Sequence, residues 1–120
     1  NVDQMNIKEI SNELRKVSRE CRDLKINKKE FFGGSMTISS LGGIGGTHFT
    51  PIINPPEVAI LGVGKSYEKL SRFNGKIIFR KILPISLSYD HRIIDGAEGA
   101  RFCVHLRNSL GKDFAFKLAV

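Results

Sequence analysis

The chain has 120 residues, 41% hydrophobic and 26% charged, which fits one globular domain of ordinary composition. No apolar run reaches the roughly 20 residues of a membrane span, and the first residues lack the basic start and apolar stretch of a secretory signal. The net charge of +7 could attract nucleic acid, but the basic residues are scattered and carry no interleaved aromatic motif. We therefore predict a cytosolic protein with a solvated basic surface and neither a nucleic-acid nor a membrane partner.

The first predicted element is an amphipathic helix over residues 6–25. Its apolar residues recur at alternating steps of three and four, which places them on one stripe: Ile7, Ile10, Leu14, Val17, Cys21 and Leu24. Asn6 is a suitable N-cap, and Glu9 three residues later completes a capping-box pattern. The opposite face is charged, so we expect a surface helix with one packed side.

The middle of the chain predicts two strands around a glycine-rich loop. Residues 35–40 are partly β-branched and lie between glycine pairs, which indicates a strand that runs into the loop 41–46. The loop lacks the Lys-Ser/Thr ending of a P-loop, so tight backbone packing is preferred to a phosphate cradle. Prolines at positions 51, 55 and 56 exclude regular helix or central strand there. The apolar run 58–63 is typical of a strand buried on both faces.

The last third of the chain predicts a hairpin, a polar-faced strand and a helix. Asn74-Gly75 is a hairpin signal because both turn positions need positive φ. Residues 85–90 alternate, with Ile85, Leu87 and Tyr89 on one face and Ser86, Ser88 and Asp90 on the other. From Asp95 the spacing becomes helical, with Gly111 as the stop. The chain is therefore mixed α/β.

Cysteine and histidine spacing bears on redox state and metal binding. Cys21 and Cys103 are far apart, and each falls in an apolar helical pattern. Free buried thiols are preferred, with a disulfide as the alternative. No pair of Cys or His residues has the close spacing of zinc ligands, so no metal site is predicted.

The polar-faced strand ends in the candidates Asp90, His91 and Asp95. A histidine can accept a proton near neutral pH when a partner fixes its tautomer and ring orientation. On local sequence alone, a structural histidine is the commoner outcome. Asp95 with Glu98 could simply cap the following helix.

Three segments resemble, in family order, the 2-oxo acid dehydrogenase acyltransferases. Residues 83–97 contain the signature Asp-His-Arg-x-x-Asp-Gly at 90–96 and are similar to the family's active-site segment. Residues 36–46 and 50–63 resemble two further stretches of the family. The versions at 39–46 and 97–102 look most like the acetyl-transferring branch, which serves pyruvate dehydrogenase complexes.

For the fold, the resemblance implies α/β architecture, a mixed β-sheet with flanking helices, similar to the C-terminal half of the chloramphenicol acetyltransferase-like (CoA-dependent acyltransferase) fold. Residues 1–120 would be a single segment, the C-terminal half of the acyltransferase catalytic domain, without the lipoyl and peripheral-subunit-binding domains. The family forms trimers that build cubic cores. The expected partners are therefore further copies of the chain, lipoyl domains and the other subunits of the dehydrogenase complex.

For the chemistry, the resemblance implies acetyl transfer between dihydrolipoamide and coenzyme A. By position, His91 would be the base that takes the proton of the coenzyme A thiol, and Ser39 the hydroxyl that donates to the oxyanion. Asp95 would order the site, with helix capping as the open alternative. Asp90 and Arg92 are expected to form a buried ion pair, with contact to a ligand as the alternative.

Coenzyme A would be a substrate, and the lipoyl group would be carried on an absent lipoyl domain. In the family, the serine and the histidine of one site come from neighbouring subunits. The residues that contact coenzyme A are not identified from the sequence. The alternative hypothesis is a non-catalytic, truncated core segment that acts only in oligomer assembly, and exposed apolar edges would in either case favour self-association.

Overall fold

The computed structural model describes residues 2–111 and 114. The chain separates into two compact units, one formed by the residues up to Gly33 with those from Ser109 onwards, the other by Gly34–Asn108. Within the described residues, no helix has the length and apolar character needed to cross a membrane.

The first unit contains helix α1, Ile7–Arg22, and short 3-10 turns at Val2–Gln4 and Lys28–Phe31. The capping box is confirmed, because the Glu9 amide donates to Asn6 Oδ1 at 3.0 Å and the Asn6 amide donates to Glu9 Oε2 at 2.8 Å. The helix ends three residues before the predicted position 25. Leu24 takes a φ of 55° and is exposed, so its assignment to the packed stripe was wrong.

The second unit contains a three-stranded sheet with the order β1-β2-β5. The strands are β1 (Thr37–Ser40), β2 (Ala59–Val63) and β5 (Ile85–Tyr89), where β2 runs parallel to β1 and antiparallel to β5. As predicted from its apolar run, the central strand is buried, and Ala59, Ile60 and Leu61 are the buried hydrophobic residues of the described chain.

A separate two-stranded hairpin connects β2 to β5 in sequence. It consists of β3 (Tyr67–Phe73) and β4 (Lys76–Ile82), which pair antiparallel. Asn74 and Gly75 form its turn with φ angles of 48° and 76°, which confirms the prediction from the Asn-Gly dipeptide.

Helix α2, Gly96–Ser109, follows β5 after one turn. The start predicted at Asp95 is confirmed, and the helix ends two residues before the predicted stop, Gly111. Both cysteines are free, as predicted, but each is only half-buried.

The glycine-rich loop packs against the end of β2. The Leu41 amide donates to the Val63 carbonyl at 3.0 Å, and the Lys65 amide donates to the Gly46 carbonyl at 2.7 Å. A Cβ on Gly64 would lie 2.2 Å from the Thr47 carbonyl oxygen, so only glycine fits there. The contacts agree with the predicted tight backbone packing.

Candidate active site

His91 lies on the turn that leaves β5, with its side chain exposed. The amides of Ile93 and Ile94 both donate to the Asp90 carbonyl, at 3.0 and 2.9 Å, and close the turn. The Asp90 amide donates to the Val58 carbonyl at 2.8 Å, which ties the start of the turn to the chain entering β2. The strand pairing thus fixes where the imidazole emerges, and the exposure leaves it open to a ligand.

The ring of Tyr89, the last residue of β5, lies beside the imidazole ring of His91. The two ring centroids are 5.6 Å apart and the rings are tilted by 39°. Helix α2 also approaches the tyrosine ring, at Gly99, where an added Cβ would lie 2.9 Å from Tyr89 Cε1. The glycine therefore lets the helix press on the ring that borders His91.

Asp90 and Arg92 flank the histidine and bind each other. The Arg92 amide and Nε donate to Asp90 Oδ1, both at 2.9 Å, and Nη2 donates to Oδ2 at 2.6 Å. These hydrogen bonds from Arg92 lower the pKa of Asp90 to about 2, so its carboxylate is charged near neutral pH. The predicted pair exists, but it is not buried, since 88% of the Arg92 side chain is exposed.

Asp95 caps α2. Its Oδ1 accepts a hydrogen bond from the Glu98 amide at 2.7 Å, and its carbonyl accepts from the Gly99 amide at 3.1 Å. The capping role that the sequence left open is thus present. Because Asp95 is four residues after His91, the cap also defines the far end of the segment that carries the histidine.

Ser39 lies elsewhere on the sheet. It pairs with Gly62 on β2, whereas Tyr89 pairs with Ala59, three positions along the same strand. With roughly 3.3 Å per residue and 4.8 Å per strand, the Cα atoms of Ser39 and Tyr89 are about 14 Å apart. One chain therefore brings His91 and Asp95 into one segment and leaves Ser39 away from them. The role of Ser39 stays a prediction.

Sequence reasoning missed a side-chain contact close to this turn. Thr37 Oγ1 donates to Glu57 Oε2 at 2.5 Å, and Glu57 is the residue before Val58, whose carbonyl anchors Asp90. The contact joins β1 to the segment that enters β2. A glutamate just after Asn-Pro-Pro and before an apolar run was the available signal, because a carboxylate there needs a donor nearby.

Comparison with known proteins finds a family model that matches most of the chain. The family model described as 2-oxoacid dehydrogenases acyltransferase (catalytic domain) matches residues 1–115. The chain is 55% identical over 111 residues to the dihydrolipoyllysine-residue acetyltransferase component of the pyruvate dehydrogenase complex of Haemophilus influenzae, covering 92% of this chain and 19% of that protein. The same component of Buchnera aphidicola subsp. Acyrthosiphon pisum is 53% identical over 110 residues and is covered to 28%. The chain thus spans a minor part of these curated relatives.

Solved structures show the same fold. The dihydrolipoamide acetyltransferase of Azotobacter vinelandii superposes with a TM-score of 0.88 at 46% identity, over 96% of this chain and 47% of that one. A dihydrolipoamide acetyltransferase structure from Listeria monocytogenes, described as probable, gives a TM-score of 0.81 at 32% identity, over 86% of this chain and 44% of that one. The predicted α/β acyltransferase fold is therefore confirmed.

Proposed function

Because the chain belongs to the 2-oxoacid dehydrogenase acyltransferase family, we propose that it carries the base of an acetyltransferase site in a pyruvate dehydrogenase complex. The substrates would be coenzyme A and the acetylated lipoyl group of a lipoyl domain, and the reaction would take place in the cytoplasm. The observation that carries the proposal is the exposed His91 side chain at the end of β5, in a turn where Asp90 binds Arg92 and Asp95 caps the next helix.

The sequence spacing between Ser39, His91 and Asp95 supports the assignment of His91 as the base. The Azotobacter vinelandii structure was determined to investigate a serine, a histidine and an asparagine in the catalytic mechanism, and these are spaced 52 and 4 positions apart. Ser39, His91 and Asp95 have the same two spacings in this chain. Asp95 therefore takes the place of the asparagine, and both residue types can cap a helix with a side-chain oxygen.

In the proposed reaction, His91 removes the proton from the thiol of coenzyme A. A free thiol has a pKa of about 8.5, so a positioned base increases the thiolate available near neutral pH. The thiolate adds to the carbonyl carbon of the acetyl thioester, and the negative charge moves to the carbonyl oxygen. Collapse of this intermediate breaks the bond to the lipoyl sulfur, which takes the proton back from His91 and leaves as a thiol.

Ser39 would donate its hydroxyl hydrogen to the oxyanion of the intermediate. Loss of one such donor commonly slows a reaction by about 10²- to 10³-fold. Since Ser39 and His91 are separated within one chain, the serine of a site would come from a neighbouring copy. We propose the trimer of the family as the arrangement that brings the two together.

The proposal is tested by acetyl transfer from acetyl-CoA to dihydrolipoamide, measured on the acetyltransferase assembly that contains this chain. His91→Ala should lower kcat about 10²- to 10⁴-fold, because a positioned base is lost. Asp95→Asn is the matched control, since the amide oxygen keeps the cap and the Azotobacter protein has an asparagine at the matching spacing. Full activity of the His91 variant in a correctly assembled protein would contradict the base assignment.

A second candidate function is assembly without catalysis. It is favoured by the small number of buried apolar residues and by the large apolar side chains exposed on the hairpin. Under this alternative the unsubstituted protein would assemble but transfer no acetyl group.

A further inference from the structure

The imidazole of His91 is exposed and is not held by a hydrogen bond in the described part of the chain. The side-chain hydrogen bonds around it run from Arg92 to Asp90 and from the Glu98 amide to Asp95. An exposed side chain changes rotamer on the picosecond-to-nanosecond timescale unless packing prevents it. The orientation of the imidazole therefore depends on the groups that lie beside it.

The neighbour of the imidazole is the ring of Tyr89. Their centroids are 5.6 Å apart and the rings are tilted by 39°, which is within the range of about 4.5–7 Å found for interacting aromatic rings. Tyr89 pairs with Ala59 on the buried strand β2, so the backbone that carries the ring is fixed by the sheet. The imidazole thus packs against a ring whose own backbone cannot move freely.

Helix α2 holds the tyrosine ring from the side of its hydroxyl. Gly99 is the buried residue of this helix, and a Cβ added there would lie 2.9 Å from Tyr89 Cε1, 3.2 Å from Cζ and 3.4 Å from the hydroxyl oxygen. A Cβ on Gly96 would lie 3.9 Å from the same oxygen. The hydroxyl therefore lies over the first turn of α2, and the contact with the imidazole is made by the aromatic ring.

We infer that Tyr89 is a positioning residue for His91: its ring, fixed between β5 and Gly99, restricts the imidazole to one rotamer. The inference rests on the proposed function, in which the oriented imidazole is the base of acetyl transfer. A base must lie within hydrogen-bond reach of the proton that it takes, and a displacement of about 1 Å can slow a reaction about 10²-fold. A residue that sets this rotamer affects kcat without contacting the substrate.

The rotamer of His91 is measured by three-bond NMR couplings across χ1 in the full chain. The unsubstituted chain and Tyr89→Phe, which keeps the ring, should give the couplings of a single rotamer. Tyr89→Leu keeps an apolar side chain but removes the ring, and should give couplings averaged over several rotamers. Averaged couplings in the unsubstituted chain, or a single rotamer in Tyr89→Leu, would overturn the inference. The unsubstituted chain provides this test even if Tyr89→Leu does not fold.

Kinetics of the acetyltransferase assembly that contains this chain separate positioning from stability. Tyr89→Leu should lower kcat about tenfold or more with less than a threefold change in KM, because the substrate is not contacted. Tyr89→Phe should stay within threefold of the unsubstituted protein. Leu87→Ala removes an apolar side chain from the same face of β5, so it should lower stability and keep kcat within threefold. Equal losses of kcat in Tyr89→Leu and Leu87→Ala would mean that Tyr89 has a structural role alone.

Gly99→Ala displaces the tyrosine ring without changing its chemistry, because the new methyl group would overlap Cε1. This variant should also lower kcat, whereas Gly96→Ala, which has room for the methyl group, should keep kcat within threefold. An unchanged kcat in a folded Gly99→Ala variant would contradict the positioning role.

The variant His91→Ala tests the proposed function separately. If it kept full activity while the His91 couplings still responded to Tyr89→Leu, the base assignment would be wrong and the ring contact would stand. If it lost activity while the couplings in Tyr89→Leu remained those of one rotamer, the base assignment would stand and the positioning role would be wrong.

Discussion

At the scale of single residues, the turn that carries His91 is stabilised by hydrogen bonds to the Asp90 carboxylate rather than by burial of the His91 side chain. Asp90 binds both the backbone and the side chain of Arg92, so the residues on either side of the histidine are joined. The imidazole remains exposed between them. This arrangement can orient the ring without closing it to a substrate.

We predict that Arg92→Gln raises the pKa of Asp90 from about 2 towards its ordinary value of 3.8, because the guanidinium bonds that lower it are lost. The carboxyl carbon shift of Asp90 in an NMR pH titration measures the change. Arg101→Gln, which removes an exposed charge on α2, is the control and should leave this titration in place. An identical Asp90 titration in the unsubstituted chain and Arg92→Gln would contradict the ion pair.

The lowered pKa of Asp90 determines how the stability of the fold changes with pH. The folded chain holds the Asp90 proton less tightly than the unfolded chain, so the pair stabilises the fold above pH 4. This contribution is lost as the pH falls from about 4 to about 2, and the Arg92 variant should lack that part of the pH dependence.

At the scale of secondary-structure elements, the contact between β5 and α2 passes through Tyr89 and Gly99. We predict that Gly99→Ala destabilises the chain by about 1–3 kcal/mol, because the new methyl group overlaps the tyrosine ring. The same change at an unconstrained interior helix site would stabilise by up to about 1 kcal/mol. Chemical denaturation measures the difference.

Gly96→Ala is the control for this contact, since its Cβ would lie 3.9 Å from the Tyr89 hydroxyl, an ordinary van der Waals distance. A Gly99→Ala variant as stable as Gly96→Ala would show that α2 does not press on the ring. If the contact holds, the ¹H shifts of the His91 ring should change in Gly99→Ala alone, because the tyrosine ring beside it must move.

The elements that the sequence predicts well are those defined by neighbours along the chain. The capping box of α1 and the Asn74-Gly75 turn each need residues at most three positions apart, and both are present. The end of α1 was misplaced because Leu24 kept the apolar spacing while its backbone left the helix. The periodicity of apolar residues does not reveal where a single residue takes the left-handed conformation that ends a helix.

The contacts that the sequence did not predict join distant segments. The hydrogen bond between Thr37 and Glu57 spans 20 positions, and the approach of Gly99 to Tyr89 depends on how a helix crosses a strand. Patterns of neighbouring residues along the chain do not predict either of these contacts between distant segments. His91, Ser39 and Asp95 were selected by resemblance to a family, and their spacing agrees with a solved relative. The separation of Ser39 from His91 emerged only with the strand register.

At the scale of the whole molecule, more apolar side chains are exposed than are buried among the described residues. The buried hydrophobic residues of the described chain are Ala59, Ile60 and Leu61, all on β2. On the hairpin, Leu70 and Phe79 form a directly opposed pair that points to one face, with Ile77 on the same side. Their exposed fractions are 60%, 71% and 76%, respectively. A two-stranded ribbon is marginal alone, so this face gains stability when covered.

We therefore predict that the chain self-associates through the hairpin face defined by Leu70, Ile77 and Phe79. Sedimentation velocity at micromolar concentration should show a species heavier than one chain, and Leu70→Thr with Phe79→Thr should shift it towards the monomer, because the buried apolar contact is lost. Ile44→Thr with Ile52→Thr removes two exposed apolar side chains from loops and is the matched control. A monomeric unsubstituted chain, or equal dissociation in both variants, would mean that the hairpin face is not the contact. Under the proposed function, the same association would supply the neighbouring copy that brings Ser39 to His91, so the hairpin variant should also lower acetyl transfer.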